Sequence, residues 1–352
     1  MARFPGTIAV VATAIAVLAL HVGHSSAQPP NLPYVDAVVQ PTDTTTNATS
    51  ATSPETADII DGNEAPPLRY SYVISLQYNR RHQCGGILIA HDVILTAAHC
   101  VGAFQDAVIG VHNLTDAAAV PATSSTSSAE EPSYDTGWRT GAFKNIVVHP
   151  KFDTYYYLND LALVVLEESV KDRDDLKYVQ LAKLNYDEDY WQHTPTTTPP
   201  RQPVVTGWGD IDPSPSSNVR SDVLLQMDVA YLPPEQCHDD SVLYNGVTRD
   251  YTFEVFSSQY LCGNASNGIS RTCGGDSGGP FIVPGTTYGG KDDLILGLVS
   301  WGVRNCPQGR PTVYTDVAFL FEWIEDNVCG LSGDVPKSFD CKKGKKSKAR
   351  KR

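Results

Sequence analysis

The stretch Thr272-Cys-Gly-Gly-Asp-Ser-Gly-Gly-Pro280 sets a single serine, Ser277, between glycines. Glycine on both sides lets the backbone take turns closed to other residues and lets a substrate carbonyl approach the chain. A serine hydroxyl is a weak nucleophile. It needs a base within hydrogen-bond reach, a third group to orient that base, and amide donors for the oxyanion. Two upstream segments supply candidates. Leu95-Thr-Ala-Ala-His-Cys100 carries His99, and Leu158-Asn-Asp-Leu-Ala-Leu-Val164 carries Asp160 at the head of an apolar run.

Short apolar stretches rich in Val, Ile, Leu and Tyr recur from Tyr72 to Val108 and from Val204 to Val313, punctuated by Gly, Pro, Asn and Asp. This pattern predicts an all-β protein. Examples are Tyr72-Val-Ile-Ser-Leu, Gly86-Ile-Leu-Ile-Ala, Leu161-Ala-Leu-Val-Val-Leu and Leu294-Ile-Leu-Gly-Leu-Val-Ser-Trp. One helix is predicted around Val317 to Asn327, where Phe321 and Ile324 stand at helical spacing.

In the order His, Asp, Ser, the three motifs closely resemble the chymotrypsin/trypsin family of secreted serine proteases, over Ile59 to about Val328. The resemblance implies two six-stranded antiparallel β-barrels with the active site between them and a C-terminal helix. His99 and Asp160 would come from the first barrel and Ser277 from the second. Ser277 would attack the carbonyl, His99 would relay the proton, and Asp160 would orient His99. The backbone N–H groups of Gly275 and Ser277 would form the oxyanion hole. Ile59-Ile-Asp-Gly-Asn-Glu-Ala65 resembles a mature amino terminus whose freed α-amino group pairs with Asp276. Ser300-Trp301-Gly302 would pair with substrate as an added strand. Trp301 reads equally as a core aromatic.

The resemblance places Arg271 at the base of the primary specificity pocket, where trypsin-like members carry aspartate. A guanidinium there repels cationic side chains and can hold a carboxylate, so a preference for Asp or Glu before the scissile bond is expected. The competing reading has Arg271 bend out of the pocket or pair with an internal carboxylate, and leaves a pocket for small or apolar side chains. Gly302 keeps the entrance open, while Thr312 narrows the pocket and adds a hydroxyl. Asp58 precedes the expected activation bond, so an acid-directed protease, this one included, fits as activator.

The chain has 352 residues, 41% of them hydrophobic, which is ample for a sizeable core. Arg3, the apolar run Ile8 to Leu20 and the small-x-small pattern Ser25-Ser26-Ala27 read as a secretory signal peptide over 1–27. The run is short for a membrane span, although an uncleaved anchor would use the same residues. Residues 28–58, rich in Pro, Thr, Ser and Ala, read as a pro-segment, followed by a protease domain over 59–328 and a basic tail over 329–352. Asn47, Asn113 and Asn264 open glycosylation sequons.

Eight cysteines behind a signal peptide point to an oxidising compartment and disulfides. The resemblance pairs Cys84 with Cys100, Cys237 with Cys262, and Cys273 with Cys306, which leaves Cys329 and Cys341 for each other. No CxxC spacing suggests zinc. Val111 stands before His112-Asn113 where calcium-binding relatives have a carboxylate, so no calcium is expected there. Glu130 and Glu131 remain available elsewhere. No metal or cofactor is implied.

The last eleven residues, from Lys342, hold eight basic side chains and no acidic one. Without them the chain has 19 basic and 40 acidic residues, a formal charge of −21 against −13 for the whole. Such a tail can fold back on the acidic body or adhere to a polyanionic glycan or membrane surface. The expected partners are protein or peptide substrates and protease inhibitors, with the chain itself a monomer. The alternative function is a non-catalytic homologue that uses the scaffold as a binding module.

Overall fold

The computed structural model describes residues 59–117, 137–173, 202–212, 219–233, 259–302 and 306–341, with shorter pieces between 176 and 190 and between 237 and 248. Residues 1–58, with Asn47 and Asp58, lie outside the described residues, as do Glu130, Glu131 and the tail from Lys342.

Two mainly antiparallel sheets organise the chain, the second with one parallel addition, Lys183–Leu184 against Leu294–Gly302. The first runs, in spatial order, Trp138–Thr140, Asp106–Ile109, Val73–Tyr78, Arg81–Ala90, Val93–Thr96, Ala162–Leu166 and Phe143–Val148. Its fifth and sixth members, Val93–Thr96 and Ala162–Leu166, are buried throughout. The sheet therefore curls around its own side chains, and strands covered on both faces read as continuous apolar runs. Its edge strands follow one another in the chain. Between them Gly141 and Ala142 turn a corner, with the Ala142 N–H donating to Thr140 Oγ1 at 3.1 Å, so the ring is curled rather than sealed.

The second sheet closes. Leu225–Leu232, Val204–Gly207, Pro280–Val283, Leu294–Gly302, Thr312–Asp316 and Tyr260–Ala265 pair in succession, and Tyr260–Ala265 pairs back onto Leu225–Leu232. Leu225, Met227 and Val229 point inward, with the polar Gln226 and Asp228 between them, the period of two that a half-buried strand requires. They meet Phe281, Tyr314 and Ile59 inside the barrel, where Phe281 and Tyr314 stack at 4.5 Å. The molecule has the double-barrel architecture, one barrel closed and the other curled.

The terminal helix spans Phe321–Leu331, later than the spacing predicted. Asp316 Oδ1 accepts the N–H groups of Ala318 and Phe319 at 2.8 and 3.3 Å, which holds that stretch in a side-chain turn and delays the helix. Ile324 and Val328 form its buried face. Beyond it the chain folds onto the first sheet: Ser332 Oγ and the Gly333 N–H both donate to Asp92, and Phe339 stacks on Phe321. Disulfides join Cys84–Cys100, Cys237–Cys262, Cys273–Cys306 and Cys329–Cys341.

An ion pair ties the start of the domain to the second barrel. Arg69 reaches both carboxylate oxygens of fully buried Asp293 at 2.7 Å, and Tyr72 Oη donates to the same carboxylate at 2.7 Å.

Candidate active site

His99 sits in a short 3₁₀ turn, Ala98–Cys100, that follows the buried strand Val93–Thr96. Cys100 ties this turn to Cys84 on the neighbouring strand Arg81–Ala90. Asp160 stands immediately before the buried strand Ala162–Leu166, which pairs with Val93–Thr96. Strand pairing thus carries the two residues to one end of the first sheet.

There His99 Nδ1 lies 2.6 Å from Asp160 Oδ2, and the His99 backbone N–H donates to Asp160 Oδ1 at 2.9 Å. Asp160 is fully buried. A carboxylate removed from water needs several donors, and the second barrel provides another: Ser300 Oγ donates to Asp160 Oδ2 at 2.6 Å. Thr315 Oγ1 donates to the Asp160 carbonyl at 3.0 Å. Ser300 reaches across because the register between Leu294–Gly302 and Thr312–Asp316 slips by one residue between Val299 and Trp301, a bulge that re-aims the side chain there. The Tyr157 ring lies edge-on to His99 at 5.4 Å.

Ser277 lies on the loop before Pro280–Val283, with Gly275 at φ +99° and Gly278 at φ +76° on either side. Those angles favour glycine. A Cβ on Gly278 would stand 2.5 Å from the Gly85 carbonyl oxygen. The loop bridges the sheets: the Gly85 N–H donates to the Ser277 carbonyl at 2.7 Å, and the Gly278 N–H donates to Val299 at 2.7 Å. The Ser277 hydroxyl makes no hydrogen bond to His99 in this arrangement. Among the described residues, the N–H groups of Gly275 and Ser277 donate to no protein acceptor, so two adjacent donors remain open beside the hydroxyl.

Behind the loop Asp276 is fully buried and accepts the N–H groups of Cys273 at 2.8 Å and Gly209 at 3.0 Å. Burial pushes its carboxyl up to about 7, against the opposing pull of those two donors. His82 is also buried, and burial, reinforced by the charge of Arg220, brings its imidazole down to about 3. It is therefore neutral. Its Nε2–H donates to the Gly275 carbonyl at 2.9 Å, and Nδ1 accepts from Ser75 Oγ at 2.8 Å. Arg220 Nε donates to Asp210 at 3.2 Å, and the Asp210 N–H donates to Gly274 at 2.7 Å.

Arg271 is nearly buried, at 9% exposure. Its NH1 donates to the Ile269 carbonyl at 3.0 Å and lies 3.6 Å from Asp61 Oδ2, while Nε finds no acceptor. The Thr272 and Thr312 hydroxyls meet at 2.6 Å, and Cys273–Cys306 braces the same wall. Trp301 stands partly buried with its ring edge-on to Tyr260 at 6.4 Å, and Gly302 is exposed. Sequence reading passed over Tyr157, Asp61, Thr272, His82 and Arg220. Asp61 and Thr272 lie inside quoted motifs, Tyr157 adjoins one, and His82 stands two residues before Cys84, but no residue pattern marked their contacts.

Ile59 is buried in the second barrel and takes φ +49°. Asn113 Oδ1 accepts the Thr115 N–H and hydroxyl at 2.9 and 2.8 Å, whereas Asn264 Nδ2 donates to the Gly309 carbonyl at 3.1 Å from within a strand. His112 Nε2 contacts Glu64 at 2.7 Å. Among the described residues the one close cluster of metal-type donors is Cys84, His99 and Cys100, whose sulfurs are joined in a disulfide. No described helix is long and apolar enough to cross a membrane.

A histidine fixed by a buried carboxylate, and a glycine-flanked serine with two open amide donors on a loop bonded to both sheets, match the parts of a serine-type endopeptidase. The Trypsin family profile matches residues 59–324, and the chain belongs to that family. It is 29% identical over 279 residues to Trypsin epsilon of Drosophila erecta, covering 76% of this chain and 86% of that protein. It is 27% identical over 316 residues to the Proclotting enzyme of Tachypleus tridentatus, covering 85% and 70%. The solved structure of neuropsin, a serine protease expressed in the limbic system of mouse brain, superposes with a TM-score of 0.53 at 23% identity, over 76% of this chain and 99% of that one.

Proposed function

We propose that the chain is a secreted endopeptidase made as an inactive precursor, with Ser277, His99 and Asp160 as its catalytic residues. The observation that carries this reading is the His99–Asp160 contact at 2.6 Å, with Ser277 on a loop bonded to both sheets. Ser277 Oγ attacks the substrate carbonyl carbon as His99 Nε2 takes its proton. The oxyanion accepts the N–H groups of Gly275 and Ser277. His99 then returns the proton to the leaving amine, and water, deprotonated by His99, hydrolyses the acyl-enzyme. Asp160 holds the tautomer, and Ser300-Trp301-Gly302 pairs with the substrate backbone.

Cleavage after Asp58 would free the Ile59 amine to pair with Asp276. Ile59 supports this, because a β-branched residue at φ +49° is strained in the intact chain, and cutting the preceding bond removes the constraint on φ. The unsatisfied Nε of Arg271 and the Thr312 hydroxyl support a preference for Asp or Glu before the scissile bond. The reading includes a signal peptide over 1–27, a pro-segment over 28–58, the domain over 59–328 and a basic tail that engages polyanionic surfaces. It also includes a glycan on Asn113, whose side chain already bonds the hydroxyl of its own sequon.

The test is to express the precursor, determine the amino terminus of its active form, and profile cleavage on a peptide library. Ile59 at the new terminus, cuts after Asp or Glu, and loss of both with Ser277→Ala are expected. An Ile59 form that neither cleaves peptides nor is labelled on Ser277 by an organophosphorus reagent would make the protein a binding module instead.

A further inference from the structure

The segment that begins the mature chain also reaches the underside of the specificity pocket. The Arg271 N–H donates to the Ile60 carbonyl at 3.2 Å, and Ser270 Oγ donates to the Asp61 carbonyl. Asn267 Nδ2 in turn donates to Ser270 Oγ at 2.7 Å. These bonds fix Asp61 beside Arg271, with its carboxylate 3.6 Å from NH1. Asp61 takes φ +61°, a left-handed geometry that non-glycine residues rarely hold. At 3.6 Å the pair is an ion pair without a formed hydrogen bond. Arg271 therefore keeps donor capacity, and Nε is buried without an acceptor.

We infer that Asp61 is a specificity-determining residue that shares the Arg271 guanidinium with the substrate side chain and so limits how strongly the pocket favours a carboxylate over a neutral group. This rests on the reading that Arg271 forms the base of the pocket. A carboxylate entering the pocket meets a guanidinium that already faces the Asp61 carboxylate at 3.6 Å. Removing the Asp61 charge leaves the same cation facing the pocket alone. The Asp61 side chain is 47% exposed, and a partly solvated pair of this kind moves an equilibrium by about two- to fivefold. Asp61 acts through Arg271, so it is a positioning residue.

The experiment compares kcat/KM for peptides that differ only in Glu, Gln or Ala before the scissile bond, per mole of titrated active site. Enzymes are wild type, Asp61→Asn, Asp61→Ser and Asp61→Glu, each confirmed to begin at Ile59. The Glu-to-Gln ratio is expected to rise about two- to fivefold in both neutral variants, to stay at the wild-type level in Asp61→Glu, and to leave the Ala peptide unchanged. An unchanged or lower ratio in the neutral variants, with wild type still favouring Glu over Gln, overturns the role of Asp61 and leaves the acidic pocket standing. A wild-type ratio near one that Arg271→Gln does not alter removes the acidic pocket and the role of Asp61 together. Two neutral replacements keep the comparison available if one of them fails to mature.

Discussion

Ser300 Oγ and His99 Nδ1 meet on the same atom, Asp160 Oδ2, each at 2.6 Å. Ser300 belongs to the second barrel and Asp160 to the first, so orientation of the proposed base depends on how the barrels pack. Replacing Ser300 by alanine deletes a hydrogen bond to a buried charge, an interaction worth about 1.5–3 kcal/mol. We expect kcat to fall about tenfold or more with KM changed less, and Asp160→Asn to fall about 10⁴-fold. Steady-state kinetics on one peptide check both, and a Ser300→Ala enzyme at full kcat would refute the dependence.

The buried Asp276 makes precursor stability depend on pH. Its carboxyl is pushed up to about 7, chiefly by burial, while an unfolded Asp titrates near 4. Between about pH 4 and pH 7 the folded precursor keeps a proton that the unfolded chain has released. The contribution of this group is therefore most favourable below about pH 4 and declines as pH rises, by up to ~4 kcal/mol. On the proposed activation, freeing the Ile59 amine should supply a cation and remove the decline. Urea unfolding of the Ser277→Ala precursor and its Ile59-terminal form, compared near pH 5 and near pH 7.5, should separate as pH rises. Parallel curves would exclude the pairing.

Arg69 and Asp293 lock the entrance of the domain to the second barrel with two 2.7 Å bonds. Removing Asp293 leaves the partly buried Arg69 and the buried Tyr72 hydroxyl without their shared partner, a loss smaller than that of a fully buried stranded charge, which is about 3–5 kcal/mol. Asp293→Ala should lower the denaturation midpoint far more than Asp292→Ala, because Asp292 binds the Thr286 and Thr287 N–H groups on an exposed turn. Equal midpoints for the two variants would contradict this.

The proposed catalytic residues were legible because each stands in a short contiguous motif, and strand pairing of Val93–Thr96 with Ala162–Leu166 then has to bring His99 and Asp160 together. The aim of Ser300 was hidden, since it depends on a register slip against Thr312–Asp316 that no local pattern encodes. Arg271 was placed by its offset from Ser277, but its contact with Asp61 depends on a chain end meeting a distant loop. The alternative of an internal carboxylate was open in the sequence, and the structure puts one there at 3.6 Å, too far for a hydrogen bond. The helix was read early because Asp316 binds the backbone after it, a competition that spacing of apolar residues does not register.

Glycines around Ser277 give the sharpest separation of stability from chemistry. Gly275 has φ +99°, and a Cβ there would lie 3.0 Å from Gly209 Cα and 3.3 Å from the Arg220 guanidinium. Gly102 has φ +94° with nothing within 4 Å of its Cβ position. An alanine at either site meets the same backbone penalty of about 1–2 kcal/mol, so Gly102→Ala should unfold earlier yet retain its kcat. Gly275→Ala must also shift its own N–H away from the place proposed for the oxyanion. Loss of one such donor lowers kcat about 10²- to 10³-fold. With both variants matured to Ile59 and active sites titrated, a larger thermal loss and a much lower kcat are expected for Gly275→Ala than for Gly102→Ala. Equal kcat in the two would mean that the Gly275 N–H does not stabilise the transition state, and would leave the Ser277 N–H as the remaining donor to test.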